Sequence, residues 1–354
     1  MSHMATQSIP NLTIGLDLGD KRSRLYSLPA TSQRGEDAVV PTSRAGLTRY
    51  FAGRPRCRVV LEVGTHSPWV ARELTALGHE VLVANPSAMY GDRRRRKRND
   101  RMDAEFLARQ GRADPNLLHP IAHRSVEAQQ HLELVRARDQ VVQARTKLIN
   151  HVRGAVKSLG GRLSRCSAEA FAKRAAPELP AELQPAVTPL LELITELTRR
   201  IAQYDRQLTR LIQQHYPVAA RLQQPAGVGP LTALAYVLLV EDPTRFAKSR
   251  DVGAYFGLVP RLDDSSESRP QLRISKAGDA LGRRLLISAA QYILGPFGPP
   301  CDLRRHGEKI AQRGGKNAKK RAVVAVARKL AVLLHRLWVS ERQYHPDYQQ
   351  RSAA

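Results

Sequence analysis

The chain has 354 residues, long enough for more than one hydrophobic core, and carries 57 Lys and Arg against 32 Asp and Glu, a formal charge of +25. An excess of that size points to a polyanionic partner, nucleic acid first; a membrane surface fits less well, because the cations are spread along the chain instead of gathered on one amphipathic helix. Cys57, Cys166 and Cys301 form no CxxC pair and no zinc spacing, no apolar run is long enough for a bilayer span and no secretory leader is visible, so a cytoplasmic protein in a reducing compartment is expected.

Met1-Ser2-His3-Met4 has the pattern of an expression-vector remnant, and residues 1–11 are read as tag and disordered terminus. Leu12 to Leu18 is apolar on both faces, the pattern of a strand inside a covered sheet. After the Gly19-Asp20 turn, Arg22 to Leu28 and Ala38 to Val40 read as strands, and Thr42 or Ser43 can cap a helix through about Phe51. Arg58 to Val63 is another buried-type strand, Pro68 to Leu77 a helix closed by Gly78, and Glu80 to Val83 a strand. Asn99 or Asp100 can cap a helix through Gln110, which completes an α/β domain over residues 12–122.

Beyond it the pattern is helical. Ser125 to Leu159 is a long amphipathic helix, Ala168 to Arg174 a short one with Ser167 as cap, and the four prolines of Pro177 to Pro189 mark a linker or elbow. Leu190, Ile194, Leu197, Ile201, Tyr204, Leu208 and Leu211 alternate steps of four and three, a heptad seam. Residues 123–216 therefore read as a coiled-coil arm or dimerising hairpin, or as plain amphipathic helices packed on their own domain. Residues 217–340 form a third, mostly helical region followed by a tail, 341–354. It holds a glycine turn, Pro225 to Ala233, and ends in a helix from Ala318 to Trp338 with a basic entry at Lys316, Lys319, Lys320 and Arg321. The turn reads either as a plain helix connection or as a helix-hairpin-helix, in which backbone N–H groups at Gly227 and Gly229 hold a phosphate.

The acids carry the chemistry. Asp17 and Glu62 lie inside apolar strands, where a carboxylate is costly unless paired or bound to metal. Asp100 and Asp103, three apart at the start of one helix, read alone as a cap and a dipole-matched acid, or together as two more ligands. Four carboxylates converging on one sheet edge suit Mg²⁺ or Mn²⁺, and two such ions can hold an attacking and a leaving oxygen on phosphorus. Immediately before them runs Arg93-Arg94-Arg95-Arg96-Lys97-Arg98, with Arg101 beyond. This run is either a solvated charged loop or a guide that leads a phosphodiester to acids which metal has made attractive. Aromatic residues are only 5% of the chain, so rows of stacking rings for a single strand are not indicated.

Gly15-Leu16-Asp17-Leu18-Gly19, Leu61-Glu62-Val63-Gly64 and Asn99-Asp100-Arg101-Met102-Asp103-Ala104 resemble the N-terminal signature of one group of insertion-sequence transposases. These recombinases have a RuvC-like (RNase H-type) DEDD domain and are guided by a bridge RNA. The resemblance continues through Gln224 to Pro230, Gly253 to Arg261, Arg273 to Asp279 and Ala327 to Ala331, so it spans about residues 12 to 338. It implies a RuvC-like mixed sheet with helices, a helical arm and a C-terminal transposase domain. It also implies a serine nucleophile five residues after the Gly-Leu-x-Pro proline; that position is Ser265, with Ser266 as the fallback.

The implied reaction is cleavage and exchange of DNA strands through a phosphoserine intermediate, assisted by Mg²⁺ at Asp17, Glu62, Asp100 and Asp103. The implied partners are donor and target double-stranded DNA, a structured non-coding guide RNA and further copies of the chain, as a dimer or as a tetramer on DNA. The implied location is a prokaryotic cytoplasm, on the nucleoid. Arg261, Arg273 and Lys276 join the expected nucleic-acid contacts. Two rival readings stand beside this one: a Mg²⁺-dependent junction endonuclease without a covalent intermediate, and a non-catalytic nucleic-acid scaffold.

Overall fold

The computed structural model describes residues 10–85, 99–261 and 272–347. The basic run from Arg93 to Arg98 and both candidate nucleophiles, Ser265 and Ser266, lie outside the described residues. The chain divides into two compact units, Met1–Arg124 and Ser125–Ala354.

The first unit is built on strands β1 (Leu12–Asp17), β2 (Arg22–Pro29), β3 (Glu36–Pro41), β4 (Arg58–Glu62) and β5 (Glu80–Ala84), in the spatial order β3-β2-β1-β4-β5. The pairs β1–β2 and β2–β3 are antiparallel, whereas β1–β4 and β4–β5 are parallel. Side chains alternate between the faces of a strand. Ile14, Leu16, Val59 and Leu61 therefore meet α1 (Arg44–Phe51) and α2 (Ser67–Ala76) through Leu47, Phe51, Val70 and Leu74. Tyr26, Leu28, Val60 and Ala84 face the other way, onto Ala104, Leu107 and Ala108 of α3 (Asp100–Ala113). With helices on both faces, the central strands need apolar residues at consecutive positions, which is why Leu12 to Leu18 and Arg58 to Val63 do not alternate. Helix α3 runs past Gln110 to Ala113, because Gly111 continues it: a Cβ there would fall 2.3 Å from Val60 Cγ2, so its absence lets the helix lie close on the sheet.

The second unit begins with α4 (Val126–Ser158), which runs antiparallel to α6 (Gln184–His215). The direction follows from three contacts along the pair: His131 Nδ1 with Tyr216 Oη at 2.8 Å, Arg138 Nε with Asp205 Oδ1 at 2.5 Å, and Arg145 Nη1 with Thr198 Oγ1 at 3.2 Å. Of the heptad positions in α6, Ile194, Ile201, Leu208 and Leu211 are buried. At the far end, Ile149, Val152 and Val156 close with α5 (Phe171–Ala175) and Leu191 into a separate small core. The expected elbow through Pro189 is corrected: α6 already begins at Gln184. Pro185 sits in the first turn, where its missing N–H would have no partner, and Pro189 removes only the bond to the carbonyl one turn back. Burial of Val187, Leu191 and Ile194 in the end core outweighs that loss.

The remaining α-helices among the described residues are α7 (Pro217–Arg221), α8 (Pro230–Val240), α9 (Val252–Tyr255), α10 (Ala280–Leu294), α11 (Asp302–Ala311) and α12 (Ala318–Ser340). They form a bundle with α8 at its centre, buried at every residue from Ala233 to Val240. A helix apolar all round belongs in an interior. Its one polar group there, the Tyr236 hydroxyl, donates to the Ala331 carbonyl at 2.8 Å. No helix among the described residues is long and apolar enough to cross a membrane.

Candidate functional site

Two strand ends and one helix start meet at one edge of the first sheet. Leu16 of β1 lies opposite Leu61 of the parallel β4, so the next residues, Asp17 and Glu62, close neighbouring strands side by side. By alternation both share a face with Gly15 and Val60, the face that α3 covers. Helix α3 runs opposite to β1: Ala104 and Ala108 lie over Gly15, and Gly111 over Thr13 and Val60. Its first turn therefore projects toward the carboxyl ends of β1 and β4. Asn99 fixes that start, its side-chain oxygen accepting from the Met102 N–H at 2.9 Å. Asp100 and Asp103 occupy the first turn, where the partial positive charge of the helix favours acids.

The four acids thus come to one edge and one face of the sheet. Asp100 is exposed, and Asp17, Glu62 and Asp103 are half-buried. Asp17, Glu62 and Asp103 each take part in a polar or electrostatic interaction. Arg24 lies opposite Asp17 on β2 and pairs with Asp37 at 3.1 Å. Among the described residues no three acid, histidine or cysteine side chains are drawn together onto one point as they stand. In kind, four carboxylates with no sulfur ligand fit a hard divalent cation. Sequence reasoning missed His66 at the same edge, in the loop after β4. Its Nδ1 accepts from Trp69 Nε1–H at 3.1 Å, and its Nε2 faces Asp20 of the β1–β2 turn at 3.6 Å. The signal available was a histidine four residues after Glu62, and spacing alone gave it no partner.

In the second unit, the segment that contains Ser265 and Ser266 starts and finishes on one short antiparallel ladder. The Arg261 N–H donates to the Arg273 carbonyl at 3.0 Å and the Ser275 N–H to the Val259 carbonyl at 2.8 Å. Two glycines with positive φ lock the ladder. A Cβ on Gly257 would fall 2.2 Å from the Ala277 carbonyl oxygen, and one on Gly278 2.0 Å from that of Tyr255. Arg261, Arg273 and Lys276 are exposed beside it. Gly227 has φ +80 and packs so tightly that a Cβ would lie 2.7 Å from the Ala289 carbonyl oxygen, while Gly229 caps α8 with open space around it. Lys316, Lys319 and Lys320 are exposed at the start of α12; Arg321 is half-buried and donates to the Gly314 carbonyl at 3.1 Å. Lys320, Arg321, Arg273 and Lys276 line one large groove.

Two family models match this chain. A transposase model of the IS110 DEDD type covers residues 14–160, and the model described as "Transposase IS116/IS110/IS902 family" covers residues 219–300. A probable family 20 transposase of Pseudomonas aeruginosa is 30% identical over 346 residues, which cover 94% of this chain and 98% of that protein. The chain belongs to the IS116/IS110/IS902 family of transposases. Other relatives in the family are the transposase for insertion sequence element IS1328 of Yersinia enterocolitica, 30% identical over 81% of this chain and 85% of its own length, and that for IS1111A of Coxiella burnetii, 33% identical over 70% of this chain and 68% of its own length. Membership in a transposase family makes the chain an enzyme of DNA cleavage and transfer, and the DEDD family model falls on the domain that holds Asp17, Glu62, Asp100 and Asp103.

Proposed function

We propose that this transposase is an RNA-guided DNA recombinase that breaks and rejoins strands through a serine. Asp17, Glu62, Asp100 and Asp103 would hold Mg²⁺ or Mn²⁺. The observation that carries the reading is the convergence of β1, β4 and the start of α3 at one edge on one face of the sheet. Bound divalent ions would supply charge neutralisation at a phosphodiester and stabilise its displaced oxygen.

In the strand-breaking step the Ser265 hydroxyl oxygen, or that of Ser266, bonds to phosphorus as the bond to one sugar oxygen breaks. The serine proton ends on that sugar oxygen. The product is a phosphoserine ester and a free DNA hydroxyl, and attack by a second DNA hydroxyl reverses the step and frees the serine. The energy of the phosphate ester is kept, so no nucleotide cofactor is needed. The ladder supports this role, because it holds Arg261 and Arg273, on either side of the two serines in the sequence, hydrogen-bonded to each other. The basic run Arg93 to Arg98 with Arg101, the Gly227–Gly229 turn and Lys316, Lys319, Lys320 and Arg321 would contact nucleic-acid phosphates. The bridge RNA would choose the DNA sequence, and two or more copies of the chain would act together.

The test is to trap covalent protein–DNA adducts with and without Mg²⁺, in the presence of RNA transcribed from beside the gene, and to map them by mass spectrometry. An adduct on Ser265 or Ser266 that disappears in Ser265→Ala or Ser266→Ala is expected. Metal-dependent cleavage that persists in both variants with no adduct would replace this reading with a junction endonuclease acting through the same four acids.

A further inference from the structure

We propose that the groove along α12 is a seat for the sugar–phosphate backbone of duplex DNA. It encloses about 1780 Å³ in the second unit. Among the described residues its lining includes ten Lys and Arg and a single acid, Asp302, which is already engaged by Arg305 at 2.7 Å. None of the ten is in an ion pair among the described residues. Like charges crowded without counter-charge destabilise a fold, so a surface of this kind is built for an external anion. The groove's own histidine reports the same field: burial, with Lys329, Arg313 and Lys309 beside it, holds the His306 imidazole below its ordinary value.

The pattern along α12 points to the ligand. One face of the helix packs into the bundle through Val326, Leu330, Leu334 and Leu337. The groove face alternates by turns: Lys320 and Arg321, then Val324 and Ala325, then Arg328 and Lys329, then Val332 and Leu333, then Arg336. Successive cation rows are eight residues apart, roughly 12 Å at 1.5 Å per residue. At 3.4 Å of rise per nucleotide of a DNA strand, rows so spaced would meet phosphates about three to four nucleotides apart.

The turns between the rows are aliphatic. They can pack on deoxyribose, and they offer nothing to a ribose 2′-hydroxyl, which would be buried without a hydrogen bond. That favours DNA over RNA. The single acid and the scarcity of aromatic residues among the described lining residues argue against a protein partner at its centre. Arg328, Lys329 and Arg336 were not among the cations legible at the helix entry, because they are scattered among apolar residues that the bundle also uses. The inference rests on DNA being the partner of this family. It does not rest on the serine or on the four acids.

The experiment uses the full-length protein in EDTA and a labelled DNA duplex, with affinity followed by fluorescence anisotropy across a salt series. The variant Arg328→Gln/Arg336→Gln is compared with Arg199→Gln/Arg200→Gln, which removes the same charge from an exposed stretch of α6, and melting curves check that each is folded. Loss of about tenfold in affinity, with the salt slope reduced by roughly 1.8 for two lost phosphate contacts at 0.9 each, is expected for the groove variant alone. Equal losses in the two variants, or none in either, overturn the proposal. A duplex RNA of the same sequence is run in parallel; if only RNA binding falls, the groove is an RNA seat and the DNA assignment is wrong. A change of oligomer mass with DNA binding intact marks a protein interface and is equally fatal. Ser265→Ala should bind DNA normally, so failure of the covalent mechanism and failure of the groove are read separately.

Discussion

Gly15 lies directly beneath Ala104: a Cβ on Gly15 would fall 1.9 Å from the Ala104 carbonyl oxygen and 2.6 Å from the Ala108 nitrogen. The helix that carries Asp100 and Asp103 is therefore set against the strand that carries Asp17 by the absence of one side chain. No rotamer change relieves such a clash, because both contacted atoms are backbone. Gly15→Ala should lift α3 from the sheet and destabilise the first unit by about 1–3 kcal/mol. A lower melting temperature by differential scanning calorimetry, together with loss of strand transfer, is the expected result; an unchanged melt would mean that the packing is looser than described.

Removing single carboxylates at the edge should leave that packing intact. Asp17→Asn, Glu62→Gln and Asp103→Asn are each expected to lower strand cleavage at least about a hundredfold, the loss seen when one group that stabilises developing charge is removed. DNA affinity measured in EDTA should stay within about twofold. Unfolding of these variants, seen by circular dichroism, would show that the acids are structural.

Arg145 is 5% exposed in the helical pair, and its Nε has no partner among the described residues. It reaches Thr198 at 3.2 Å and Glu169 at 3.0 Å, and Glu169 is mostly in water. A carboxylate left in water by the substitution loses little, so Arg145→Met should change stability by less than about 1 kcal/mol, whereas Arg145→Ala, which also leaves a cavity, should lose about 2. Urea unfolding of the two variants decides; equal losses would mean that the charge, not the packed volume, holds the pair.

Cys57 is buried on His79, with Sγ 3.3 Å from Nδ1, and burial pushes its thiol up to about 11. The folded value lies above the ordinary 9.0, so the stabilising contribution is complete below that value and is lost as pH rises through the folded value. Stability should accordingly decline from about pH 9 to 11 more steeply in the natural chain than in Cys57→Ala. At pH 8 iodoacetamide should label Cys166, which is half-buried, well before Cys57. Rapid labelling of Cys57 in mass spectra would contradict the packing.

The first unit was legible because its signals are local. Ser43 and Asn99 stand where caps were expected, and the strands that carry Asp17 and Glu62 were recognised by apolar runs that only a covered sheet requires. The closeness of α3 was not legible, since Gly15 and Gly111 read as weak points until the surfaces they admit are known. In the second unit proline composition misled at Pro185 and Pro189, where helix burial overrode it. The cation rows of α12 escaped notice because a residue count sees the charge and not the face it lies on. His66 and Asp20 are brought together by the fold alone.

The antiparallel pair of α4 and α6 has one further consequence. Helix α4 has 33 residues and α6 has 32, roughly 50 Å each, and the pair ends in a small core separate from that of the bundle. Matched turns deleted from both helices would bring the tip closer to the bundle by a chosen interval and leave either core whole. The pair is in that sense a ruler whose length can be reset, and a shortened series would report how far from the bundle the tip must work.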